Sequence, residues 1–419
     1  MKKFISMLVT AALAVSSVFA LAGCNGTQGS GDQGTTPAVT GGDETDETAA
    51  PAADFKVGAI YINSQNDTSG YTFAHHKGIT AAMEQVGLDP AKDLYIVDNV
   101  PEDDEKVKQA IDQLAGNGCN IIFGISFGYI NAMDEKAKEY PDIIFSHATG
   151  YLSNDTNFNN YFGRIYQARY LAGIAAGYKS LATGNNNIGF VSAWGTEYAE
   201  TCSGINGFTL GALSVNPNAK VYVYEISTWG DQELERQAAE TLIDTYGCGV
   251  IGQHCDSAQP QIVANEKGVF GCGYNSDMTT EAPDAHLTAP IWNWDAYYAT
   301  AMEAAMTNPA TFMTEVGIYY EGLNARLVDI APLSKNCEPQ TEEAIALAKD
   351  LMTKGEWDVF SGVKLSFSGD AGSVTVAKTD AALKTNEGAE IVAAGGPSVE
   401  DSVITGSMNY YVEGVTQVN

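Results

Sequence analysis

The side chains best suited to chemistry in this 419-residue chain are aromatic rings, carboxylates and amides in loops that follow short apolar segments. A nucleobase stacked on an aromatic side chain gains about 1–3 kcal/mol. Carboxylates and amides can pair with the polar edge of such a ring. These residue types predict a site for a planar heterocycle. The candidate ligand-binding residues are Tyr71, Ser126, Phe127, Trp194, Trp229, Asp256, Asn275, Asp277 and Trp292.

A purely structural explanation exists for each aromatic residue. Any single tryptophan can simply plug the end of a hydrophobic core, and Tyr71 can simply pack the first turn of the helix that it begins. Four of the five tryptophans, however, fall on one predicted rim, and this grouping favours a pocket. They are Trp194, Trp229, Trp292 and Trp294.

Several motifs for catalysis are missing from the sequence. It contains no HExxH or Walker A motif, and no GxGxxG follows the first predicted strand. His75 and His76 are neighbours on one predicted helix and point to different faces, so they do not form a metal-binding pair. His254 and Asp256 are a candidate acid/base pair, but no nucleophile motif adjoins them in the sequence. The sequence therefore indicates a binding protein rather than an enzyme, with no metal or cofactor.

Alternating strand and helix signals supply the scaffold for these loops. The first example is Val57–Gly78, where an alternating apolar strand is followed by a polar loop and then a helix beginning near Tyr71. The same order recurs along the chain and predicts parallel sheets. Further strands are predicted at Tyr95–Val97, Asn120–Ile125, Ile143–Ser146, Ile188–Val191, Val221–Ile226, Val250–Gln253, Phe270–Gly273, Leu287–Ile291, Val363–Phe367 and Ser373–Ala377.

Two runs of this alternation predict an α/β protein of two doubly wound lobes joined by a hinge. The first lobe is expected to span residues 55–165, with a return segment near 286–310. The second is expected to span residues 166–285, with part of 311–419. Ligands bind at the carboxyl ends of parallel strands and between domains, and two such lobes can close on a ligand.

The first 54 residues predict export and attachment to a membrane. Lys2 and Lys3 precede an apolar segment, as in a signal peptide spanning residues 1–23. The sequence Leu-Ala-Gly-Cys ending at Cys24 resembles the bacterial lipobox, which implies an acylated Cys24 and a lipid anchor. An ordinary secretory signal and a short membrane anchor are the alternatives. Residues 24–54 are low in complexity and predict a flexible linker.

Charge and cysteine content narrow the partners further. The formal net charge is −30, and no basic patch is present that could neutralise nucleic-acid phosphates, so nucleic acid is not expected as a partner. Six cysteines follow Cys24. They show no CxxC spacing, and small buried thiols explain them better than a metal site does.

Eight segments together resemble the basic membrane protein (Bmp, PnrA-like) family of lipoproteins, over about residues 55–415. The segments are GYTFAHHKG (70–78), FGISFGY (123–129), YFGRIYQARYLAGIAAG (161–177), TWGD (228–231), GQHCDS (252–257), GYNSDM (273–278), LTAPIWNW (287–294) and MNYYVEGV (408–415). The resemblance implies the type I periplasmic-binding-protein fold. It also implies delivery of a ligand to the transmembrane permease subunits of an ABC importer, from the extracytoplasmic face of a bacterial cell membrane.

The family's purine nucleoside binders suggest roles for individual residues. Tyr71 and Trp229 match the two aromatic residues that sandwich the base. Asn275 and Trp292 occupy the positions of the Asp and Lys that hold the ribose, so the ribose clamp is missing. The glycine-rich segment near the ribose is replaced by His254–Ser257.

These departures resemble the subgroup associated with a free purine base, adenine. On this hypothesis Tyr71 and Trp229 stack on the ring, while Asp256 and Asn275 pair with its polar edge. The alternatives are a purine nucleoside, riboflavin or another ring ligand, or a membrane-tethered sensor that works without a permease.

Overall fold

The computed structural model describes residues 54–419. The expected signal peptide, the acylated Cys24 and the linker up to residue 53 lie outside the described residues. Within residues 54–419, no helix combines the length and apolar character needed to cross a membrane.

Eighteen strands and twelve α-helices alternate along most of this range. The strands are β1 (Val57–Tyr61), β2 (Leu94–Val97), β3 (Ile121–Ile125), β4 (Ile144–Ala148), β5 (Phe158–Gly163), β6 (Asn187–Ser192), β7 (Lys220–Glu225), β8 (Val250–His254), β9 (Phe270–Cys272), β10 (His286–Thr288), β11 (Pro290–Trp292), β12 (Tyr319–Glu321), β13 (Val328–Ile330), β14 (Val363–Ser368), β15 (Thr375–Asp380), β16 (Leu383–Lys384), β17 (Glu390–Val392) and β18 (Val415–Gln417). The α-helices are α1 (Gly70–Gln85), α2 (Pro90–Asp93), α3 (Asp104–Gly116), α4 (Ile130–Glu139), α5 (Ile165–Thr183), α6 (Ala199–Val215), α7 (Gln232–Asp244), α8 (Gln259–Lys267), α9 (Trp294–Thr307), α10 (Phe312–Glu315), α11 (Thr341–Thr353) and α12 (Asp401–Gly406).

Two six-stranded sheets organise the molecule, in the orders β12-β5-β4-β3-β1-β2 and β10-β9-β8-β6-β7-β18. Every pairing within them is parallel. The first sheet with the helices on its faces is called the first lobe, and the second sheet with its helices the second lobe. The expected pair of doubly wound lobes is therefore confirmed.

Side-chain alternation along β1 explains the layering of the first lobe. Val57, Ala59 and Tyr61 join the apolar cluster under α1 and α9. Ile60 faces the opposite cluster under α3 and α4. Successive side chains of a strand point to opposite faces, so apolar residues at both sets of positions bury both faces of the sheet.

In the second lobe, α5 and α6 approach so closely that glycine is required at their crossing. A Cβ placed on Gly173 would lie 2.1 Å from the carbonyl oxygen of Phe208, and one on Gly211 would lie 2.0 Å from that of Tyr170. Nearly the whole of α5 is buried as a result. Helices α7 and α8 cover the opposite face through a separate apolar cluster.

The chain passes between the lobes at three places: after β5, between β11 and α9, and after β12. The return segment near 286–310 needs one correction, because β10 pairs with β9 and so belongs to the second sheet. The predicted strand Leu287–Ile291 is in fact two short strands. Pro290 opens the second of them, which pairs antiparallel with β13 outside both large sheets.

Strand β5 is missing from the sequence prediction. Its segment, FNNYFG, contains two asparagines that interrupt the apolar pattern. Both amides are paired in the fold: Asn159 donates to Tyr297 Oη and to the carbonyl of Gly317, and Asn160 donates to the carbonyl of Leu152. Tertiary hydrogen bonds therefore make this polar strand stable in a buried position.

The prediction of small buried thiols is confirmed. All six cysteines among the described residues are free, and five of them are buried, with Cys337 partly exposed.

Candidate functional site

A cavity with about 430 Å³ of empty space, part of it open to solvent, lies between the lobes and is called here the cleft cavity. Its walls come from the carboxyl ends of the parallel strands and the segments that follow them, where ligands bind in open α/β sheets. The first lobe contributes Ile62, Tyr71, Ser126, Phe127 and Thr149, and the second contributes Glu200, Trp229, His254, Asp256 and Tyr274.

Tyr71 lies in the first turn of α1, and its ring packs against other aromatic side chains. Its ring meets that of His75 edge-on, with centroids 4.4 Å apart, and His75 stacks on Trp294 at 4.3 Å. The Nδ1 atom of His75 lies 2.7 Å from Tyr298 Oη. The buried hydroxyl of Tyr71 has no hydrogen-bond partner among residues 54–419, which leaves it free for a ligand.

Trp229 stands on the opposite wall, in the loop between β7 and α7. Asp231 ends this loop as the N-cap of α7, accepting hydrogen bonds from the backbone N–H groups of Glu233 and Leu234. Rings of Trp194 and Tyr198 meet Trp229 edge-on, with centroids 6.3 and 5.6 Å away. The Asp231 cap and the two neighbouring rings together fix the orientation of the Trp229 indole.

Asp256 supplies a partly buried carboxyl beside Trp229. Its backbone N–H donates to the carbonyl of Trp229 at 3.0 Å, which ties the two loops together. Burial, followed by the negative charges of Glu235 and Glu200, raises the pKa of Asp256 well above its ordinary value. A protonated carboxyl can donate one hydrogen bond and accept another.

Glu200 and His254 form a second polar wall, with Glu200 Oε1 3.3 Å from His254 Nε2. Burial raises the pKa of Glu200 to about 7, although nearby Arg169 acts in the opposite direction. Burial and then Arg169 lower the pKa of His254 well below its ordinary value, so the imidazole is neutral. The Arg169 guanidinium lies 3.7 Å from the ring centroid of Tyr274 and donates to the carbonyl of Gln253.

The loop after β3 presents Ser126 and Phe127 to the cavity. Glu102 braces this loop, because its Oε1 accepts hydrogen bonds from Ser126 Oγ at 2.5 Å and from the backbone N–H of Gly128 at 2.7 Å. The Phe127 ring then reaches the second lobe and meets Tyr198 edge-on at 5.7 Å. These contacts place the lobes in a closed arrangement.

Asn275 lies beside the cavity wall rather than in its lining. It follows Tyr274, is 3% exposed, and adopts a left-handed backbone conformation with φ of 65°. Neither its amide oxygen nor its amide nitrogen has a hydrogen-bond partner in the described part of the chain. Such unsatisfied buried groups are rare, so Asn275 is a candidate for ligand contact through a small rearrangement.

Besides Asn275, three predicted residues lie away from the cavity lining. Trp194 stands behind Trp229. Trp292 stacks on Trp294 within the core, with centroids 4.3 Å apart and an interplanar angle of 10°, because β11 lies outside both large sheets. Asp277 is exposed, and its carboxylate accepts hydrogen bonds from Thr279 in its own turn.

Five lining residues are absent from the sequence-based candidates: Ile62, Thr149, Glu200, His254 and Tyr274. His254 and Tyr274 adjoin candidates, and their predicted strand ends could have pointed to them. Thr149 directly follows β4. It is not aromatic, acidic or an amide, so it lacks the residue types by which the other loops are identified. Glu200 lies in the first turn of α6, where an acidic residue is normally a solvent-exposed helix start.

Comparisons with known proteins identify the family of this chain. The family model described as "ABC transporter substrate-binding protein PnrA-like" (Bmp) matches residues 55–355. A purine-binding protein of Brucella abortus is 33% identical over 360 residues, covering 86% of this chain and 92% of its own. A Haloferax volcanii ABC transporter protein, whose name gives glucose as its ligand, is 33% identical over 368 residues, covering 84% and 90%. The nucleoside-binding protein BmpA of Lactococcus lactis is 26% identical over 244 residues, covering 58% and 62%.

Solved structures share the fold at low sequence identity. A solute-binding protein of an ABC transporter system from Conexibacter woesei has a TM-score of 0.58 and 18% identity, over 73% of this chain and 98% of its own. A solute-binding protein from Aeropyrum pernix has a TM-score of 0.59 and 14% identity, over 75% and 93%. These similarities confirm the two-lobed solute-binding fold.

Proposed function

Because the chain belongs to the PnrA-like (Bmp) family of ABC transporter substrate-binding proteins, we propose that its cleft cavity binds a free purine base, adenine, for delivery to a permease. The family consists of solute-binding proteins rather than enzymes. The observation that carries the proposal is the pairing of Tyr71 and Trp229, which line one cavity from opposite lobes. Two aromatic side chains in that arrangement can hold a flat ring between them as the lobes close.

The polar groups of the cavity suit the edge of adenine. Adenine places a ring-nitrogen acceptor beside an amino donor. A protonated Asp256 offers the complementary donor and acceptor, and its raised pKa favours that form. Asn275, with its unpaired amide, is the second candidate for the edge. Of the remaining predicted residues, Ser126 and Phe127 line the cavity, Trp194 supports Trp229, and we assign no ligand contact to Asp277 or Trp292.

A free base is large enough for useful affinity without ribose contacts. The best small ligands gain about −1.5 kcal/mol per non-hydrogen atom. The ring system of a purine can therefore exceed the roughly −8 kcal/mol of micromolar binding. An ionised Glu200 also opposes a phosphorylated ligand, whose charge would be of the same sign.

A sugar is the second candidate, since the Haloferax volcanii relative carries glucose in its name. Calorimetric titration with adenine, adenosine, guanosine, riboflavin and glucose separates these ligands. We expect adenine to bind most tightly. Adenosine binding more than tenfold tighter than adenine would refute the free-base assignment, and glucose binding alone would refute the purine class. Mass spectrometry of any ligand retained through purification gives an independent answer.

We further propose that the protein is held by acylated Cys24 on the extracytoplasmic face of a bacterial membrane. The lipobox-like sequence and the low-complexity segment after it support this location. Delivery to permease subunits follows from the family. A sensor that operates without a permease is the alternative, and permease genes next to the coding sequence would favour the importer.

A further inference from the structure

A second, larger space of about 1780 Å³, part of it open to solvent, adjoins the cleft cavity and is also lined by both lobes. Phe127, Thr149 and Glu200 line both spaces. The larger space continues past Tyr151 and Ile318, two of the most exposed large apolar side chains among the described residues. Glu200 therefore stands where a ring bound in the cleft cavity would meet open volume.

This arrangement bears on how a free base is distinguished from a nucleoside. A sugar attached to the ring would need to extend into open volume, and the adjoining space is the part of the cleft that offers it. No Lys, Arg or His of residues 54–419 lines that space, whereas Glu197, Glu200 and Asp401 do. Asp401 is already paired with Arg164, at 2.5 Å. The space thus provides volume but no cation for a phosphorylated sugar.

The surroundings of Glu200 leave one carboxylate oxygen available to a ligand. His254 Nε2 lies 3.3 Å from Oε1, and no hydrogen bond to Oε2 is made within the described part of the chain. Because His254 is neutral, it carries one ring hydrogen, and placing it on Nε2 directs it to the carboxylate. Arg169 Nε and His254 Nδ1 both lie against Gly204. A Cβ added to that glycine would be 3.4 Å from each of the two nitrogens.

We propose that Glu200 accepts the ring N–H of an unsubstituted purine and thereby selects a free base over its N-substituted nucleoside. The inference rests on the proposed function, since it assigns Glu200 a role in binding a purine. A free base has a ring N–H that its nucleoside lacks. A carboxylate at that position forms a charge-assisted hydrogen bond with the base. With the nucleoside, the same carboxylate is left desolvated and unpaired, which costs affinity.

The test is a titration of the protein with adenine and 9-methyladenine, which differ only at the ring nitrogen in question. We expect wild-type protein to bind 9-methyladenine at least tenfold more weakly than adenine. In Glu200→Ala the two affinities should come within about threefold, because the acceptor is gone and the methyl group has space. Glu197→Ala is the matched control: Glu197 is exposed and lines only the adjoining space, so the wild-type ratio should persist.

The outcomes separate this inference from the proposed function. Equal binding of adenine and 9-methyladenine to wild-type protein would overturn the role of Glu200 and leave purine binding intact. A full wild-type ratio in Glu200→Ala would assign the selection to another residue and also overturn it. Glu200→Gln retains the size of the side chain and serves if the alanine variant does not fold, with the ratio expected to fall at least threefold. Failure of both compounds to bind would overturn the purine function itself.

Discussion

The α-carbon of Gly70 in the first lobe faces the backbone carbonyl oxygen of Asp256 in the second, so closely that a Cβ on Gly70 would lie 2.1 Å from that oxygen. The N–H of Gly70 also donates to Ser276 Oγ at 3.3 Å. This contact between the lobes is adjacent in sequence to Tyr71, so closure of the cleft and placement of the Tyr71 ring are coupled. Gly70 is required there both for space and for its φ of 84°.

The first prediction is that Gly70→Ala prevents full closure. We expect the affinity for adenine to fall at least about tenfold, or 1.4 kcal/mol, because the added methyl group collides with the other lobe. X-ray scattering should show a smaller ligand-induced compaction than in wild-type protein. Gly118→Ala is the control, since Gly118 has a similar φ of 79° and only the flexible Lys56 Nζ within 4 Å. Equal affinity losses in both variants would attribute the effect to backbone strain.

The second prediction concerns the stacking wall. Replacing Trp229 with Ala should weaken adenine binding by about 1–3 kcal/mol, the free energy of stacking one base on an aromatic ring. Trp229→Phe should recover part of that loss. Tyr151→Ala tests the boundary of the site, because Tyr151 is 69% exposed and lines only the adjoining space. Its affinity should stay within about twofold of wild type. An unchanged affinity in Trp229→Ala would remove this residue from the site.

Much of the scaffold is predictable because parallel strands are continuous apolar runs bounded by polar loops. The exceptions are explained by tertiary contacts. Strand β5 carries asparagines whose amides are paired only with distant residues, so its local pattern resembles a loop. The segment around Pro290 is apolar enough for one strand, yet it divides between the second sheet and the small β11–β13 pair. Neither outcome can be read from residues that are near in sequence.

The cleft cavity is predictable in part, for a related reason. Tyr71, Trp229 and Asp256 were identifiable because loops after parallel strands converge at one edge of a sheet. Trp292 is predicted for the same reason, but it is the last residue of β11 and stacks on Trp294 in the core. Glu200 carries an ordinary helix-start signal, and its place at the cavity depends on how the two lobes meet. Sequence patterns therefore identify the loops at the carboxyl edge of a sheet better than they identify which of their side chains face the cleft cavity.

The third prediction is a pH dependence of binding set by Glu200. Burial raises the pKa of its carboxyl to about 7, and a ligand N–H requires the ionised form as acceptor. Affinity for adenine should therefore fall as the pH drops from about 8 through 7, by up to about tenfold per pH unit. Neighbouring His254 stays neutral and Arg169 stays charged over this range, while Asp256 holds its proton to higher pH than an ordinary carboxyl.

Glu200→Gln isolates this effect, because the amide does not titrate. Its affinity profile should be flat between pH 6 and 8 (on the order of one pKa unit on each side of the midpoint). A slope that persists in Glu200→Gln and disappears in Asp256→Asn would instead assign the titration to Asp256. Calorimetry in buffers of different ionisation enthalpy measures the protons exchanged on binding and so checks the sign directly.

The fourth prediction concerns Cys24. If the thiol is acylated, mass spectrometry of protein from bacterial membranes should find the mature chain beginning at Cys24, with a mass increment of acyl chains. Cys24→Ser should abolish that increment. Cys337→Ser, which changes a cysteine in the folded lobes, should retain it. A mature chain that begins at another residue and carries no lipid would favour an ordinary secretory signal.

The fifth prediction tests the helix crossing that carries the second lobe. A methyl group added at Gly211 would lie 2.0 Å from the carbonyl oxygen of Tyr170, which is backbone and cannot turn aside. Helices α5 and α6 must therefore separate in Gly211→Ala. Overpacking of this kind typically costs about 1–3 kcal/mol and occasionally more.

Urea denaturation should show at least that loss in the free energy of unfolding. Gly406→Ala, at the end of α12 with no atom within 4 Å of the added Cβ, should change the free energy by less than about 0.5 kcal/mol. If Gly211→Ala proves equally mild, the two helices are less tightly held than their spacing indicates, and the second lobe must draw its stability from the cluster beneath α7 and α8.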